Sequence, residues 1–172
     1  MNPLLVNAFE LLRRPGNEQQ VEVAVNVADL DIVDPDRFAG DAEVGIHLRL
    51  EALSDGIVVD GQVSVPWHGI CRRCLMPTQG MSVSEVHELY QRTITDPDAF
   101  EIVGEQIDLT PIARELALLD APSTPLCRPD CAGLCPACGT DRNVAPCTCH
   151  TTAADPRWDG LEQLKGLVDD GG

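Results

Sequence analysis

Eight cysteines in four close pairs constrain the fold of this chain more than any other feature. The pairs are Cys71-x2-Cys74, Cys127-x3-Cys131, Cys135-x2-Cys138 and Cys147-x-Cys149, and His150 follows the last pair directly. A CxxC turn reverses the chain over two residues, so both thiols can reach one ion, and structural zinc takes four such ligands. Four pairs therefore predict two structural zinc sites.

The spacing also predicts which pairs share an ion. Cys135 and Cys138 lie shortly before Cys147, so these three form a local knuckle that either Cys149 or His150 completes. The other four cysteines then form a second site, which ties a corner of the predicted sheet to the end of a helix. They are Cys71, Cys74, Cys127 and Cys131.

Disulfide, redox and catalytic uses of the cysteines fit the sequence less well. No segment combines a basic start, an apolar run and a small-residue cleavage site, so we expect a cytoplasmic chain with reduced thiols. Arg72 and Arg73 inside the CRRC corner could lower a thiol pKa, which leaves a zinc-linked redox or regulatory protein as an alternative. A catalytic zinc keeps one position open for water, and eight cysteines for two ions leave none.

The charge of the chain limits its partners. Twelve basic residues stand against 28 acidic ones, which gives a net charge of −16. Nucleic-acid binders gain most of their non-specific affinity from Lys and Arg at phosphates, so broad binding to RNA is not expected. An acidic surface suits a basic protein partner. The motifs of hydrolases, P-loop proteins, zinc proteases and dinucleotide-binding enzymes are absent, so we expect neither catalysis nor a small-molecule substrate. No apolar stretch is long enough for a membrane span.

Apolar periodicity predicts the strands. Residues 21–27, 44–53, 57–70 and 81–94 alternate between apolar and polar side chains, as half-buried strands do. Asp60-Gly61 predicts a bend or bulge in the third of them. Short turns join several of these runs, so the chain is expected to form an antiparallel, barrel-like sheet.

Three segments have helical periodicity. They are residues 4–14, Ile107–Leu119 and 155–168. The second has an apolar face of Ile112, Leu116 and Leu119 and is expected to pack on the sheet. The fold class is therefore α+β, with a core domain at residues 1–122, a zinc-binding segment at 123–150, and a C-terminal helix and tail at 151–172.

Five segments resemble the YceD family of large ribosomal RNA subunit accumulation proteins, particularly its actinobacterial branch. They are FELLRRPG (9–16), CRRCL (71–75), IDLTPIARELALLDAP (107–122), PLCRPDCAGLCPACG (125–139) and DPRW (155–158). The resemblance implies a non-catalytic role in large-subunit rRNA accumulation and large ribosomal subunit biogenesis. Relatives that lack the GLCPACG knuckle keep the CxRC pair and a downstream pair, which falls by position on Cys127 and Cys131. Relatives end in C-x-C or C-x-H, so the choice between Cys149 and His150 stays open.

Two kinds of partner fit this role. In the first, the protein contacts large-subunit rRNA or its precursor particle, with arginines on phosphates and Trp67 stacked on a base. The arginines are Arg13, Arg14, Arg72 and Arg73. In the second, the arginines are ordinary surface residues, Trp67 is an edge of the core, and the acidic chain escorts a basic ribosomal protein or recruits another assembly factor. Charge favours the second.

Overall fold

The structure is a computed structural model that describes residues 2–149. Within these residues the chain divides into two compact units. The first comprises residues up to Arg72 together with Met76–Pro129, and the second comprises Arg73–Leu75 together with residues 130–149. His150 and the predicted helix at 155–168 lie outside the described residues. The predicted domain division at residues 122 and 150 stays a prediction.

The first unit contains all the strands and helices of the described residues. In chain order they are β1 (Leu5–Asn7), a 3-10 helix (Leu11–Arg13), β2 (Glu18–Asn26), a 3-10 helix (Val27–Leu30), β3 (Glu43–Ala52), β4 (Gly56–Ile70), β5 (Pro77–Gln91), β6 (Phe100–Glu101), β7 (Gln106–Asp108) and α1 (Thr110–Asp120). The α+β class is therefore confirmed: the unit is mostly sheet, with one α-helix.

Strands β2 to β6 form one sheet in chain order. The pairs from β2 to β5 are antiparallel, whereas β6 runs parallel to β5 through two residue pairs, Tyr90 with Phe100 and Gln91 with Glu101. The sheet is thus mixed and open, and the expectation of an antiparallel, barrel-like sheet is wrong. Closure would require the first and last strands to pair. Strand β6 is only two residues long, so it offers little backbone for such a pairing.

The four predicted strands are present as β2, β3, β4 and β5. In β2, β3 and β4 the alternation matches the two faces of the sheet, whereas in β5 the apolar Met81 and Val83 are exposed and the polar Ser84 is buried. In β3 every second side chain is buried, from Val44 to Ala52, and the residues between them are exposed or half-buried. In β4 the buried residues include Ile57, Val59, Val63 and Val65, which are at most 2% exposed. These side chains form the core together with residues of α1.

No residue is inserted at Asp60-Gly61, where the sequence predicts an irregularity. Strand β4 pairs without interruption with β3 on one side and with β5 on the other. The irregularity is instead in the backbone of Gly61, which has a φ of +146°. A Cβ at this position would lie 2.1 Å from the carbonyl oxygen of His47. Glycine therefore permits a close approach of β3 and β4 in place of a bulge.

The predicted N-terminal helix at residues 4–14 is wrong. Residues Leu5–Asn7 form β1, which pairs with β7, and only the short 3-10 helix follows at Leu11–Arg13. Leu4, Val6 and Ala8 are buried, whereas Leu5 is 43% exposed. The burial thus follows a period of two, because pairing with a strand about 100 residues away replaces helical hydrogen bonding.

Helix α1 confirms the helix predicted at Ile107–Leu119, although it starts later. Ile107 belongs to β7. The buried face of α1 consists of Ile112, Ala113 and Ala117, and Leu119 is 69% exposed, so its predicted place on the apolar face is wrong. Small alanines permit close packing on the sheet. The last residue of the helix, Asp120, accepts hydrogen bonds from the Ser82 and Ser84 hydroxyls of β5.

Candidate metal centres

The structure places the eight cysteines in two groups of four. The corner group is Cys71, Cys74, Cys127 and Cys131, and the knuckle group is Cys135, Cys138, Cys147 and Cys149. Within each group, all Sγ atoms lie within 4.8 Å of one another. A zinc–sulfur distance of about 2.3 Å in a tetrahedron separates the sulfurs by about 3.8 Å, so each group could hold a metal ion. The grouping is the one that the spacing predicts, with Cys149 as the fourth member of the knuckle group.

The two groups differ in their exposure to solvent. In the corner group only Cys127 is exposed, and the other three cysteines are buried. In the knuckle group Cys138 and Cys149 are exposed, and Cys135 alone is buried. A chelator would therefore reach an ion in the knuckle group more easily than one in the corner group.

Both CxxC turns have the same backbone hydrogen bond. The N–H of the first cysteine donates to the carbonyl oxygen five residues later, at 2.8 Å in each case. In the corner group this bond joins Cys71 to Met76, and in the knuckle group it joins Cys135 to Thr140. The bond closes the turn around the two thiols, so both CxxC segments present their cysteines from a hydrogen-bonded turn.

The residue after the second cysteine also adopts the same conformation in both turns. Leu75 has a φ of +61° and Gly139 a φ of +74°. Glycine adopts this left-handed conformation without steric cost, whereas a residue with a side chain pays roughly 1 kcal/mol. Such strained residues persist where the surrounding structure holds them, often at ligand sites. The left-handed conformation of Leu75 therefore indicates that the surrounding structure holds the backbone of the CRRC turn in place.

Hydrogen bonds give the knuckle thiols different proton affinities. The Thr140 hydroxyl, 3.2 Å from Cys138 Sγ, lowers the pKa of Cys138 to about 6, together with the Thr140 backbone. The backbone N–H of Cys138 lowers the pKa of Cys135. The hydrogen bond with Cys135 raises the pKa of Cys147, and that with Cys138 raises the pKa of Cys149 to about 12. The lowered pKa values of Cys135 and Cys138 favour their thiolate forms, and an entering ion would displace the remaining protons.

Sequence reasoning did not identify Asn143 as part of a site. Its Nδ2 donates to Cys131 Sγ at 3.5 Å, so it contacts a cysteine of the corner group. Outer partners of this kind orient metal ligands and tune their affinity. An Asn in a loop between cysteines predicts only a turn, so no feature of the sequence indicated this contact.

The predicted RNA-contacting arginines occupy two short segments of the chain, Arg13 with Arg14 and Arg72 with Arg73. Arg13, in the 3-10 helix Leu11–Arg13, pairs with Glu10 at 2.9 Å, and its guanidinium lies over the ring of Phe9. Arg14 follows it and is exposed. Arg72 is exposed in the turn between β4 and β5.

Arg73 has a contact within the second unit. Its Nη1 donates to the carbonyl oxygen of Cys131 at 3.0 Å, and its own carbonyl oxygen accepts the N–H of Leu134. The side chain of Arg73 is exposed overall, but one of its guanidinium nitrogens is therefore hydrogen-bonded to the turn that carries Cys131.

Trp67 is half-buried and packs against the core of the first unit. It pairs across the sheet with Gly80, and a Cβ at Gly80 would lie 2.5 Å from Cζ2 of the indole. The six-membered ring of the indole therefore lies against the Gly80 backbone of the neighbouring strand. This is the arrangement that the core-edge interpretation of Trp67 predicts.

These observations define the class of protein. It is an α+β protein with an open five-stranded sheet and two four-cysteine groups that could each bind a metal ion. No helix in residues 2–149 is long and apolar enough to span a lipid bilayer. The family model for the large ribosomal RNA subunit accumulation protein YceD matches residues 59–165. The chain belongs to the YceD family.

Mycobacterial proteins are similar over nearly the whole chain. A Mycobacterium tuberculosis protein and a Mycobacterium bovis protein are each 32% identical over 179 residues, covering 98% of this chain and 84% of the relative. A Mycobacterium leprae protein is 32% identical over 174 residues, covering 95% of this chain and 78% of the relative. All three have names that describe them as uncharacterized. No solved structure matches the chain significantly.

Proposed function

We propose that this protein is a non-catalytic factor for large-subunit rRNA accumulation and large ribosomal subunit biogenesis, with one structural zinc ion in each cysteine group. Membership of the YceD family is the observation that carries the ribosomal role. The metal role is supported by the two four-thiol groups, since thiolates suit zinc and four of them fill its coordination shell. With four cysteine ligands no position is left for a reactive water.

Zinc has a clear structural task in the second unit. Among the described residues of that unit, the buried side chains classed as apolar are Cys74, Cys131 and Cys135. A segment with so little apolar surface to bury gains little from the hydrophobic effect. In such segments the free energy of metal binding supplies the free energy of folding. The ions would therefore replace a hydrophobic core.

A basic protein partner is favoured over direct contact with rRNA. The net charge of −16 opposes the approach of a polyanion. Arg13 forms a surface ion pair with Glu10, and the indole of Trp67 lies against Gly80, so two of the predicted contacts already have partners within the fold. Direct contact with rRNA is the second candidate for the partner, because Arg14 and Arg72 are exposed and could contact phosphates.

The ribosomal role is tested by depleting the protein and separating ribosomal particles on sucrose gradients. Large-subunit rRNA should fall relative to small-subunit rRNA, or a light precursor of the large subunit should accumulate. The wild-type gene should restore the profile, and so should Val144→Ala, which alters a side chain that is 84% exposed. An unchanged profile and rRNA ratio after depletion would overturn the ribosomal role.

The partner is tested by measuring RNA binding at several salt concentrations. Direct phosphate contacts make affinity fall steeply with salt, and Arg72→Ala and Arg14→Ala should then reduce the slope. The proposed escort instead binds RNA weakly at every salt concentration and binds a basic large-subunit protein in a salt-sensitive manner. Tight, salt-dependent RNA binding without such protein binding would reverse the order of the two candidates.

A further inference from the structure

Asn143 belongs by sequence to the loop of the knuckle group but contacts a cysteine of the corner group. Its Nδ2 donates to Cys131 Sγ at 3.5 Å, and its Oδ1 accepts the backbone N–H of Ala132 at 2.8 Å. The two ends of one amide therefore hold both the sulfur and the backbone of the Cys131 turn. Both residues lie in the second unit, so this contact is internal to it.

Asp141 fixes the orientation of this amide. Asp141 Oδ1 accepts the backbone N–H of Asn143 at 2.9 Å and its Nδ2 at 2.6 Å. The Asp141 carbonyl oxygen accepts the N–H groups of Val144 and Ala145, both at 3.1 Å. The loop thus has a defined turn that directs the Asn143 side chain towards Cys131.

The ends of this loop are set by the knuckle group. The loop runs from Cys138 to Cys147. An ion that binds both of these cysteines fixes the two ends of the loop and so reduces the number of conformations that it can adopt. We propose that Asn143 is a positioning residue that couples the two metal centres: metal in the knuckle group holds its amide against Cys131 and strengthens metal binding in the corner group. This inference rests on the proposed binding of metal by both groups. Linkage requires the coupling to be reciprocal.

The Asn143 amide strengthens metal binding in the corner group because of the charge on the Cys131 sulfur. A thiolate that binds metal carries negative charge, and an N–H donor stabilises it more than it stabilises a neutral thiol. Loss of an outer partner of a metal ligand typically costs about 10- to 100-fold in metal affinity. We therefore expect at least a roughly tenfold loss of zinc affinity in the corner group when the donor is removed.

The coupling is tested on the full chain with zinc alone, at free concentrations set by a chelator. Alkylation of each cysteine, resolved by mass spectrometry, gives a separate apparent affinity for each group. Asn143→Asp replaces the N–H donor by a carboxylate oxygen. The double variant Asp141→Asn with Asn143→Asp exchanges the two side chains, which keeps an amide–carboxylate contact in the loop but removes the Nδ2 donor of residue 143 towards Cys131. Cys135→Ser with Cys138→Ser disables the knuckle group, and Val144→Ala is the control in the same loop.

The proposal is supported if both Asn143→Asp variants lower the zinc affinity of the corner group about tenfold or more, and if disabling the knuckle does the same. Combining Asn143→Asp with the disabled knuckle should then add little further loss. Recovery of wild-type affinity in the exchanged variant would show that Asn143 only shapes the loop, and would overturn the coupling. Additive losses, or unchanged affinity, would also overturn it. Absence of zinc protection in the wild-type corner group would refute metal binding itself, and the coupling with it.

Discussion

Arg37 caps the C-terminal end of α1 by donating from Nη1 to the carbonyl oxygen of Leu118 at 2.8 Å. The same nitrogen donates to the carbonyl oxygen of Ala121 at 3.1 Å, and Nε donates to the Asp34 carboxylate at 2.7 Å. The last carbonyls of a helix lack partners within it and carry partial negative charge. Arg37 satisfies them from the loop between β2 and β3, so it links that loop to the helix.

Replacing Arg37 should destabilise the first unit. Arg37→Ala removes charge-assisted hydrogen bonds from a half-buried side chain, and we expect the free energy of unfolding to fall by about 1.5–3 kcal/mol. Arg37→Lys should lose most of the same amount, because one ammonium cannot reproduce the fork of a guanidinium. Urea unfolding of the metal-loaded protein measures both. Arg92→Ala alters an exposed arginine and is the control. Equal effects of Arg37→Ala and Arg92→Ala would contradict the capping role.

Asp34 should make a pH-dependent contribution to stability. The Arg37 guanidinium holds the pKa of Asp34 below its usual value of 3.8. The folded pKa lies below the unfolded one, so the stabilisation is present above the unfolded pKa and is lost as pH falls through the folded one. Asp34→Asn should therefore be less stable than wild type at about pH 6, with the difference shrinking below about pH 3. Urea unfolding across this range, with exposed Asp36→Asn as control, measures it. A difference independent of pH would exclude the ion pair as its cause.

Gly61 should not tolerate a side chain. The Cβ of Gly61→Ala would lie 2.1 Å from the His47 carbonyl oxygen, at a φ of +146°. We expect a loss of about 3 kcal/mol or more, since both strain and a clash between β3 and β4 result. Gly40→Ala is the matched control, because among residues 2–149, apart from its two chain neighbours, no atom lies within 4 Å of its Cβ position. Thermal or urea unfolding of both variants measures the difference, and similar stabilities would show that β3 does not approach β4 closely at Gly61.

Two zinc ions should bind per chain, and they should be separable. Native mass spectrometry of the wild-type protein is expected to show two ions. Cys71→Ser with Cys74→Ser should remove one of them, because the knuckle group retains its own four thiols. The reciprocal variant, Cys135→Ser with Cys138→Ser, should also leave one ion when zinc is in excess. Loss of both ions in the Cys71 and Cys74 variant would contradict the division into two groups.

Chelation should unfold the cysteine-rich segment and leave most of the sheet intact. Residues 130–149 bury few apolar side chains, whereas β3 and β4 carry a continuous apolar face. Limited proteolysis after chelation should therefore cut within residues 123–149 while the β-sheet circular dichroism signal persists. Added zinc should restore resistance. Unchanged resistance after complete removal of metal would refute the structural role of zinc.

The parts of the fold that sequence reasoning predicted correctly are those in which local pattern and tertiary environment agree. Strands β2 to β4 show the period-two burial that their sequences predict. Strand β5 is also present, but its apolar Met81 and Val83 are exposed, so its alternation predicts the strand and not the buried face. Residues 4–14 also fit a helical stripe, but the first of them pair with β7. Periodicity over a short segment could not reveal a partner strand so distant in the chain, and it could not show whether the sheet closes.

The same division applies to the cysteine groups. Close spacing predicted the knuckle group, since a two-residue turn brings two thiols together whatever surrounds them, and the corner group followed as the four cysteines that remained. The contact between Asn143 and Cys131 depends on how the loop folds back, so it is visible only in the folded structure. The strained conformation of Leu75 is likewise absent from the sequence pattern.

The sequence by itself thus determined the strands with clear alternation, the position of α1 to within a few residues, and the grouping of cysteines, from close spacing in the knuckle group and by elimination in the corner group. Tertiary structure decided the open edge of the sheet, the conversion of residues 5–7 into a strand, and the partners of Arg37 and Asn143. The physical reason is the distance along the chain over which each interaction acts. Periodicity and turn spacing act between neighbours in the chain, whereas strand pairing and side-chain capping depend on groups that folding alone brings together.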